Sequence, residues 1–150
     1  AIRPRLVITH QAGPADADAV RQAYAAAGVE ARVEAFLDPV APEMRAAQIV
    51  LCRAGATTIA ELAAVGRASV LVPLATSTDD HQRRNAELIA GAEATELLAQ
   101  RDLQADVAER LGALARDPAR RTRMAGAIKQ FAHPEAARTI VDRALRLVRA

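Results

Sequence analysis

Short apolar runs alternate with stretches of helical periodicity from the start of the chain to Leu98. Apolar runs bounded by turn residues are typical of buried strands, and apolar positions three or four residues apart are typical of amphipathic helices. Strands that alternate with helices indicate a parallel sheet covered on both faces. The predicted strands are 6–8, 31–36, 49–51, 70–72 and 94–98, and the predicted helices between them are 16–27, 41–47, 58–65 and 80–90.

After Leu98 the pattern is helical only. Gly66 stands where the helix 58–65 should end, because glycine is the usual residue just after a helix. The fold class is therefore α/β, with extra C-terminal helices. Those helices are predicted at 102–115, at 120–131 and as a last helix ending near Val148, with breaks at Asp117-Pro118 and at Pro134.

Composition limits the class of protein further. A chain of 150 residues is one ordinary domain that needs no disulfide or metal to fold. The single cysteine, Cys52, lies in an apolar run, which indicates a buried thiol in a reducing, cytoplasmic compartment. A net charge of +2 with only 2% aromatic residues argues against nucleic-acid binding. No apolar run approaches the roughly 18 residues of a membrane span.

The most informative segment is the turn after the third predicted strand. The apolar run 49–52 leads through Arg53-Ala54-Gly55-Ala56-Thr57-Thr58 into a helical pattern. A strand that turns through small residues into a helix leaves N–H groups unpaired at the helix start, with the positive end of the helix dipole behind them. Phosphate commonly binds there, and Glu61, one turn further, could accept hydrogen bonds from vicinal hydroxyls. We therefore predict nucleotide binding.

Other polar loops follow the first, second and fourth predicted strands. Ligands of open parallel sheets bind outside the carboxyl ends of the strands, so these loops could converge on one crevice. Neither G-x-G-x-x-G nor G-x-x-x-x-G-K-[ST] is present, so a phosphate site would depend on the Gly55 turn. The loops are His10-Gln11-Ala12-Gly13, Leu37-Asp38-Pro39 and the segment from Thr76 to Asn85.

Two motifs, taken in order and at this spacing, resemble the donor-binding half of the MurG family. The motifs run from Cys52 to Leu62 and from Thr78 to Ala86, with Val72-Pro73-Leu74 between them. The family transfers N-acetylglucosamine from UDP-N-acetylglucosamine to a lipid-linked muramyl pentapeptide. The resemblance covers nearly the whole chain and implies the Rossmann-like C-terminal half of a GT-B glycosyltransferase, with residues 1–150 forming one donor-binding domain.

The resemblance also implies which residues bind the donor. The backbone around Leu37 would pair with the uracil, and Glu61 would hold the ribose hydroxyls. The turn Gly55-Ala56-Thr57-Thr58 would meet the diphosphate with N–H groups of Ala56 and Thr57, and Arg53 could add charge nearby. The residues expected to face the sugar hydroxyls are His81, Gln82 and Asn85.

The resemblance places the catalytic base in an acceptor domain or subunit outside this chain, which alone should be inactive. It implies an inverting transfer without a cofactor or metal, on the inner face of the cell membrane. The family's earlier strand and Gly-Ser-rich phosphate loop are expected upstream of this sequence. Thr57 replaces a usually apolar residue, and Ala75-Thr76 replaces a frequent Pro-His; the second departure leaves the sugar-side loop less defined.

Simpler interpretations stand beside these. Thr58-x-x-Glu61 is also a capping-box pattern, as is Asp79-x-x-Gln82. Asp79-Asp80-His81 does not predict a metal site, because adjacent residues on a helix point in different directions. The last helix carries a basic face that could meet anionic lipid or simply be solvated. Its arginines are Arg138, Arg143, Arg146 and Arg149.

Three hypotheses for function remain. The chain is the donor half of a MurG-like transferase, a separate donor-binding subunit of a split glycosyltransferase, or a non-catalytic nucleotide-binding module of similar fold. The region upstream of Ala1 would separate the first two hypotheses. Donor binding that depends on Glu61 would disfavour the third.

Overall fold

The structure, a computed structural model, describes residues 6–75 and 80–148. The chain divides into two compact units, with the boundary between Glu43 and Met44. In chain order the elements are β1 (Ile8–Gln11), α1 (Ala17–Ala26), β2 (Ala31–Glu34), α2 (Val40–Ala46), β3 (Ile49–Cys52), α3 (Ala56–Val65), β4 (Ala68–Leu71), α4 (His81–Gly91), β5 (Glu96–Leu97), α5 (Leu103–Arg116), α6 (Pro118–Ile128) and α7 (Ala136–Val148), with 3₁₀ turns at Gln100–Asp102 and Lys129–Phe131.

The first unit contains two parallel strands and a helix that packs on them. β1 pairs with β2 from Ile8 opposite Ala31 to Gln11 opposite Glu34. Arg21 of α1 donates from Nε and Nη2 to the carbonyl oxygen of Val33, at 3.1 and 3.0 Å. These two bonds hold α1 against the second strand.

The second unit contains a three-stranded parallel sheet in the order β3-β4-β5. β4 is the middle strand, and all four of its residues are buried. Its only polar residue, Ser69, is paired through its hydroxyl with the Thr95 hydroxyl at 2.8 Å. β4 is therefore buried on both faces, and its one polar side chain is hydrogen-bonded. This agrees with the prediction that helices cover both faces of the sheet.

The core of the second unit lies between β4 and the helices that follow the sheet. Alternate β4 positions, Ala68 and Val70, pack with Leu98 and with Leu114 of α5 and Met124 of α6. Helices α5 and α6 thus cover one face of the sheet. They are part of the unit's packing rather than an appendage.

Two predicted breaks follow from local chemistry. The Asp117 carboxylate accepts the N–H of Arg120 at 2.8 Å and so caps α6, while Pro118 takes the first helical position, where no N–H is needed. Gly66 ends α3 with φ of 65°, a left-handed conformation that glycine adopts without strain. The breaks predicted at both places are confirmed.

The prediction for the first strand was wrong in its bounds. We expected residues 6–8, the most apolar run, whereas β1 covers Ile8–Gln11. Backbone pairing with β2 sets the bounds, and hydrogen bonding of the main chain does not require apolar side chains. His10 and Gln11 are therefore strand residues and not loop residues.

The last helix, α7, has no buried residue. Its apolar side chains Ile140, Val141 and Leu145 are 68%, 55% and 48% exposed. None of the helices in the described part of the chain is both long enough and apolar enough to cross a membrane.

Candidate donor-binding site

The start of α3 lies directly beyond the carboxyl end of β3. The first backbone bond within the helix runs from the Ile59 N–H to the Gly55 carbonyl oxygen, at 3.0 Å. The N–H groups of Ala56, Thr57 and Thr58 therefore have no acceptor within the helix. No side chain of the described residues caps this end, and Ala56 and Thr57 are exposed. The predicted anion site is thus open at its N–H groups.

Gly55 is the N-cap residue of α3, with φ of −66° and ψ of 146°. This extended conformation is open to any residue, so the turn does not require glycine for its backbone geometry. A Cβ at this position would meet only Thr58 Oγ1, at 3.8 Å. The glycine instead leaves the helix start uncovered by a side chain, which lets a ligand approach the backbone closely.

Glu61 lies on the same face of α3 as Thr57, because residues four apart on a helix are neighbours. Its side chain is half-buried. The capping-box interpretation of Thr58 and Glu61 was wrong, because α3 begins at Ala56 and places both residues inside the helix. In the described part of the chain, no residue forms a hydrogen bond or ion pair with the Glu61 carboxylate.

Cys52 is the last residue of β3 and lies near this acid. Burial raises the pKa of its thiol to about 12, and the negative charge of Glu61 adds to the rise. The thiol therefore stays protonated at neutral pH.

Arg53 follows β3 directly, and its exposed side chain runs along the carboxyl edge of the sheet. Nη1 donates to the carbonyl oxygen of Val72 at 3.3 Å and to Oε1 of Gln100 at 3.0 Å. The sequence could not give this direction. It did predict that polar groups after successive parallel strands meet at one edge.

The first turns of α4 are tied to the neighbouring loops. The Leu74 N–H donates to Gln82 Oε1 at 3.0 Å, which leaves the amide nitrogen of Gln82 as its donor group for a ligand. Asn85 Nδ2 donates to the Ala54 carbonyl oxygen at 3.4 Å, beside the Gly55 turn. His81 is exposed at the start of α4.

Asp80 precedes α4 and pairs with Arg83, whose Nη2 lies 2.6 Å from Asp80 Oδ2. The hydrogen bond from Arg83 lowers the pKa of the Asp80 carboxyl. Within 6–75 and 80–148, no group of three or more potential metal ligands comes together. Thr76, Thr78 and Asp79, which the sequence analysis placed in the sugar-side loop, lie outside the described residues.

Leu37 belongs to the first unit. Its backbone N–H donates to Gln11 Oε1 at 2.9 Å. The other predicted site residues all belong to the second unit. Asn85 contacts Ala54 beside the Gly55 turn, whereas Arg53 contacts Val72 and Gln100, and Gln82 contacts Leu74.

The family model for the glycosyltransferase family 28 C-terminal domain matches residues 2–140. The chain belongs to this family, a class whose Rossmann-like fold agrees with the parallel strands and flanking helices described above. The match covers both units.

Within this class, the chain is similar to the MurG enzymes. It is 48% identical over 136 residues to the UDP-N-acetylglucosamine–N-acetylmuramyl-(pentapeptide) pyrophosphoryl-undecaprenol N-acetylglucosamine transferase of Xanthomonas axonopodis pv. citri (strain 306), covering 90% of this chain and 32% of the relative. The protein of the same name from Pelobacter propionicus is 47% identical over 146 residues, covering 94% and 38%. The chain thus spans about a third of the length of these relatives.

Solved structures agree. The crystal structure of Acinetobacter baumannii MurG matches with a TM-score of 0.82 and 34% identity, covering 91% of this chain and 40% of that protein. Spinosyn forosaminyltransferase SpnP matches with a TM-score of 0.65 and 17% identity, covering 99% of this chain and 44% of that protein. At that identity, the second similarity concerns the fold alone. The predicted GT-B C-terminal fold is confirmed.

Proposed function

We propose that this chain binds UDP-N-acetylglucosamine as the donor-binding part of an inverting glycosyltransferase that acts in the synthesis of the peptidoglycan precursor lipid II. The observation that carries the proposal is the uncapped start of α3, with Ala56 and Thr57 exposed and Glu61 on the same helical face. The similarity to enzymes named for this donor supports the choice of ligand.

The start of α3 accounts for recognition of the diphosphate. Unpaired N–H groups of Ala56, Thr57 and Thr58 suit phosphate oxygens, and the helix dipole favours negative charge there. Negative charge on the diphosphate grows as the bond to the sugar breaks. Donors already in place therefore stabilise the transition state more than the bound ground state.

Carboxylate and amide groups account for recognition of the neutral parts. Glu61, which has no described hydrogen-bond partner, can accept two hydrogen bonds from the ribose hydroxyls. The Gln82 amide nitrogen can donate to a sugar hydroxyl because only its oxygen is used by Leu74. We assign His81 and Asn85 to the same sugar-side surface and, on the family resemblance alone, the backbone around Leu37 to the uracil.

The acceptor hydroxyl and the base that deprotonates it are assigned to an N-terminal acceptor domain or subunit. The coverage of the relatives supports this assignment, because the chain spans only 32% to 40% of their length. The lipid-linked acceptor in their name implies reaction at a membrane surface, so the proposal includes peripheral contact with the inner face of the cell membrane. The 150-residue chain alone should bind donor without transferring the sugar.

The test is a calorimetric or NMR titration of the chain with UDP-N-acetylglucosamine. Glu61→Gln removes the charge but keeps the shape, and we expect it to lower affinity about tenfold, which corresponds to about 1.4 kcal/mol. Glu109→Gln, on the exposed face of α5, is the matched control and should leave affinity unchanged. Equal affinities of the two variants would contradict the ribose assignment, and no binding to the unmodified chain would contradict the proposal.

A further inference from the structure

A hydrogen bond that the sequence analysis did not anticipate joins the segment after β5 to the turn after β3. Arg53 Nη1 donates to Gln100 Oε1 at 3.0 Å and to the Val72 carbonyl oxygen at 3.3 Å. The three residues follow β3, β4 and β5 at the carboxyl ends of these neighbouring strands. The guanidinium is thereby fixed at the edge of the sheet where α3 begins.

The Arg53 guanidinium keeps most of its binding capacity. An arginine side chain has five N–H donors and remains charged at all physiological pH values. Both contacts with described residues use Nη1, so Nε and Nη2 remain as donors, and the side chain is exposed. The two charged residues that follow Gln100 pair with each other, since Arg101 Nε lies 3.6 Å from Asp102 Oδ2.

We propose that Gln100 is a positioning residue that holds the Arg53 guanidinium so that its free N–H donors and its charge act on the diphosphate bound at the start of α3. This inference rests on the proposed function. A neutral amide suits the role because its oxygen orients the guanidinium without cancelling the positive charge. A carboxylate at position 100 would orient the guanidinium equally well but would compete with the diphosphate for it.

The same contacts would also arise if Arg53 only tied the three strand ends together. The two roles give opposite expectations for Gln100→Glu. A structural tie would be strengthened by an ion pair, so ligand binding would be kept. If instead the Arg53 charge binds the diphosphate, an ion pair with Glu at position 100 would neutralise that charge. The affinity of Gln100→Glu for a charged ligand would then be lower than the affinity of Gln100→Ala.

The experiment titrates the 150-residue chain and its Arg53→Gln, Gln100→Ala and Gln100→Glu variants with UDP and with uridine, following amide chemical shifts. We expect UDP affinity to fall about threefold for Gln100→Ala and about tenfold or more for Gln100→Glu and Arg53→Gln, as for loss of a charge-assisted hydrogen bond. Uridine, which lacks the phosphates, should bind all variants within about twofold of the unmodified chain.

Gln104→Ala and Gln104→Glu are the matched controls, because Gln104 is exposed on α5. Both should bind UDP like the unmodified chain, and thermal unfolding checks that every variant keeps its fold. UDP binding to Gln100→Glu as tight as to the unmodified chain, or equal losses for UDP and uridine, would overturn this inference alone. An unmodified chain that binds neither ligand would overturn the proposed function and this inference with it.

Discussion

At the residue scale, the pKa of the Cys52 thiol reflects its burial at the end of β3. Burial, assisted by the Glu61 charge, raises its pKa to about 12. Only the thiolate reacts with alkylating reagents. We therefore expect native Cys52 to react with iodoacetamide at pH 8.5 at least about 100-fold more slowly than a free thiol of ordinary pKa. A rate equal to that of the unfolded chain would contradict the burial of this side chain.

The raised pKa of Cys52 also predicts whether the free energy of unfolding rises or falls with pH. A thiol whose pKa is higher in the folded chain holds its proton longer there than in the unfolded chain. The stability that this contributes is complete below the unfolded pKa, near 9, and is lost as pH rises toward 12. Cys52→Ala should remove that part of the decline between pH 9 and 12, measured by urea unfolding of both proteins.

Some residue roles could be inferred from the sequence and others could not. Small residues between a strand and a helix leave backbone N–H groups unpaired, so the open turn from Gly55 to Thr58 could be predicted without the fold. Side-chain direction depends on tertiary neighbours, so the contacts of Arg53 and Gln82 were not predictable. The contact between Arg53 and Gln100 was not predicted, although the rule that ligands bind beyond the carboxyl ends of parallel strands applies equally to the loop after β5.

At the scale of elements, the two glycines Gly66 and Gly126 give a matched test of helix geometry. Gly66 ends α3 at φ of 65°, where a Cβ would overlap the Lys129 side chain and lie 3.3 Å from the Ala125 carbonyl oxygen. Gly126 lies inside α6, and a Cβ there meets nothing within 4 Å. Only the second position can accept a side chain without strain.

We expect Gly66→Ala to lower the free energy of unfolding by about 1–2 kcal/mol, because a residue with a Cβ is strained in the left-handed conformation. Gly126→Ala should raise it by about 0.5–1 kcal/mol, because alanine favours the helix. Urea unfolding measures both. Equal effects of the two substitutions would contradict the conformation assigned to Gly66.

Element types were predictable because apolar periodicity follows the faces that each element buries, as in β4 and α3. Element ends were less predictable. β1 was placed too early because its pairing with β2 is a property of the main chain, and α3 begins at Ala56 rather than at residue 58 because small residues carry no periodic signal. Ends marked by chemistry, such as Asp117-Pro118, were placed correctly.

At the scale of the whole molecule, the parallel α/β architecture followed from the order of elements, and membership of the glycosyltransferase family followed from two spaced motifs. The donor's identity does not follow from physical reasoning on the residues. Helix-terminal N–H groups and a carboxylate specify a phosphate and vicinal hydroxyls, but not a particular sugar. That step depends on the similarity to the MurG enzymes.

The central claim, that the diphosphate binds at the start of α3, is tested most directly by an amide chemical-shift titration of the chain with UDP. The account predicts that the largest shifts fall at residues 53–61, led by the amides of Ala56, Thr57 and Thr58, with a second group at 81–85. Saturable UDP binding that leaves the amides of Ala56 to Thr58 unchanged would contradict it.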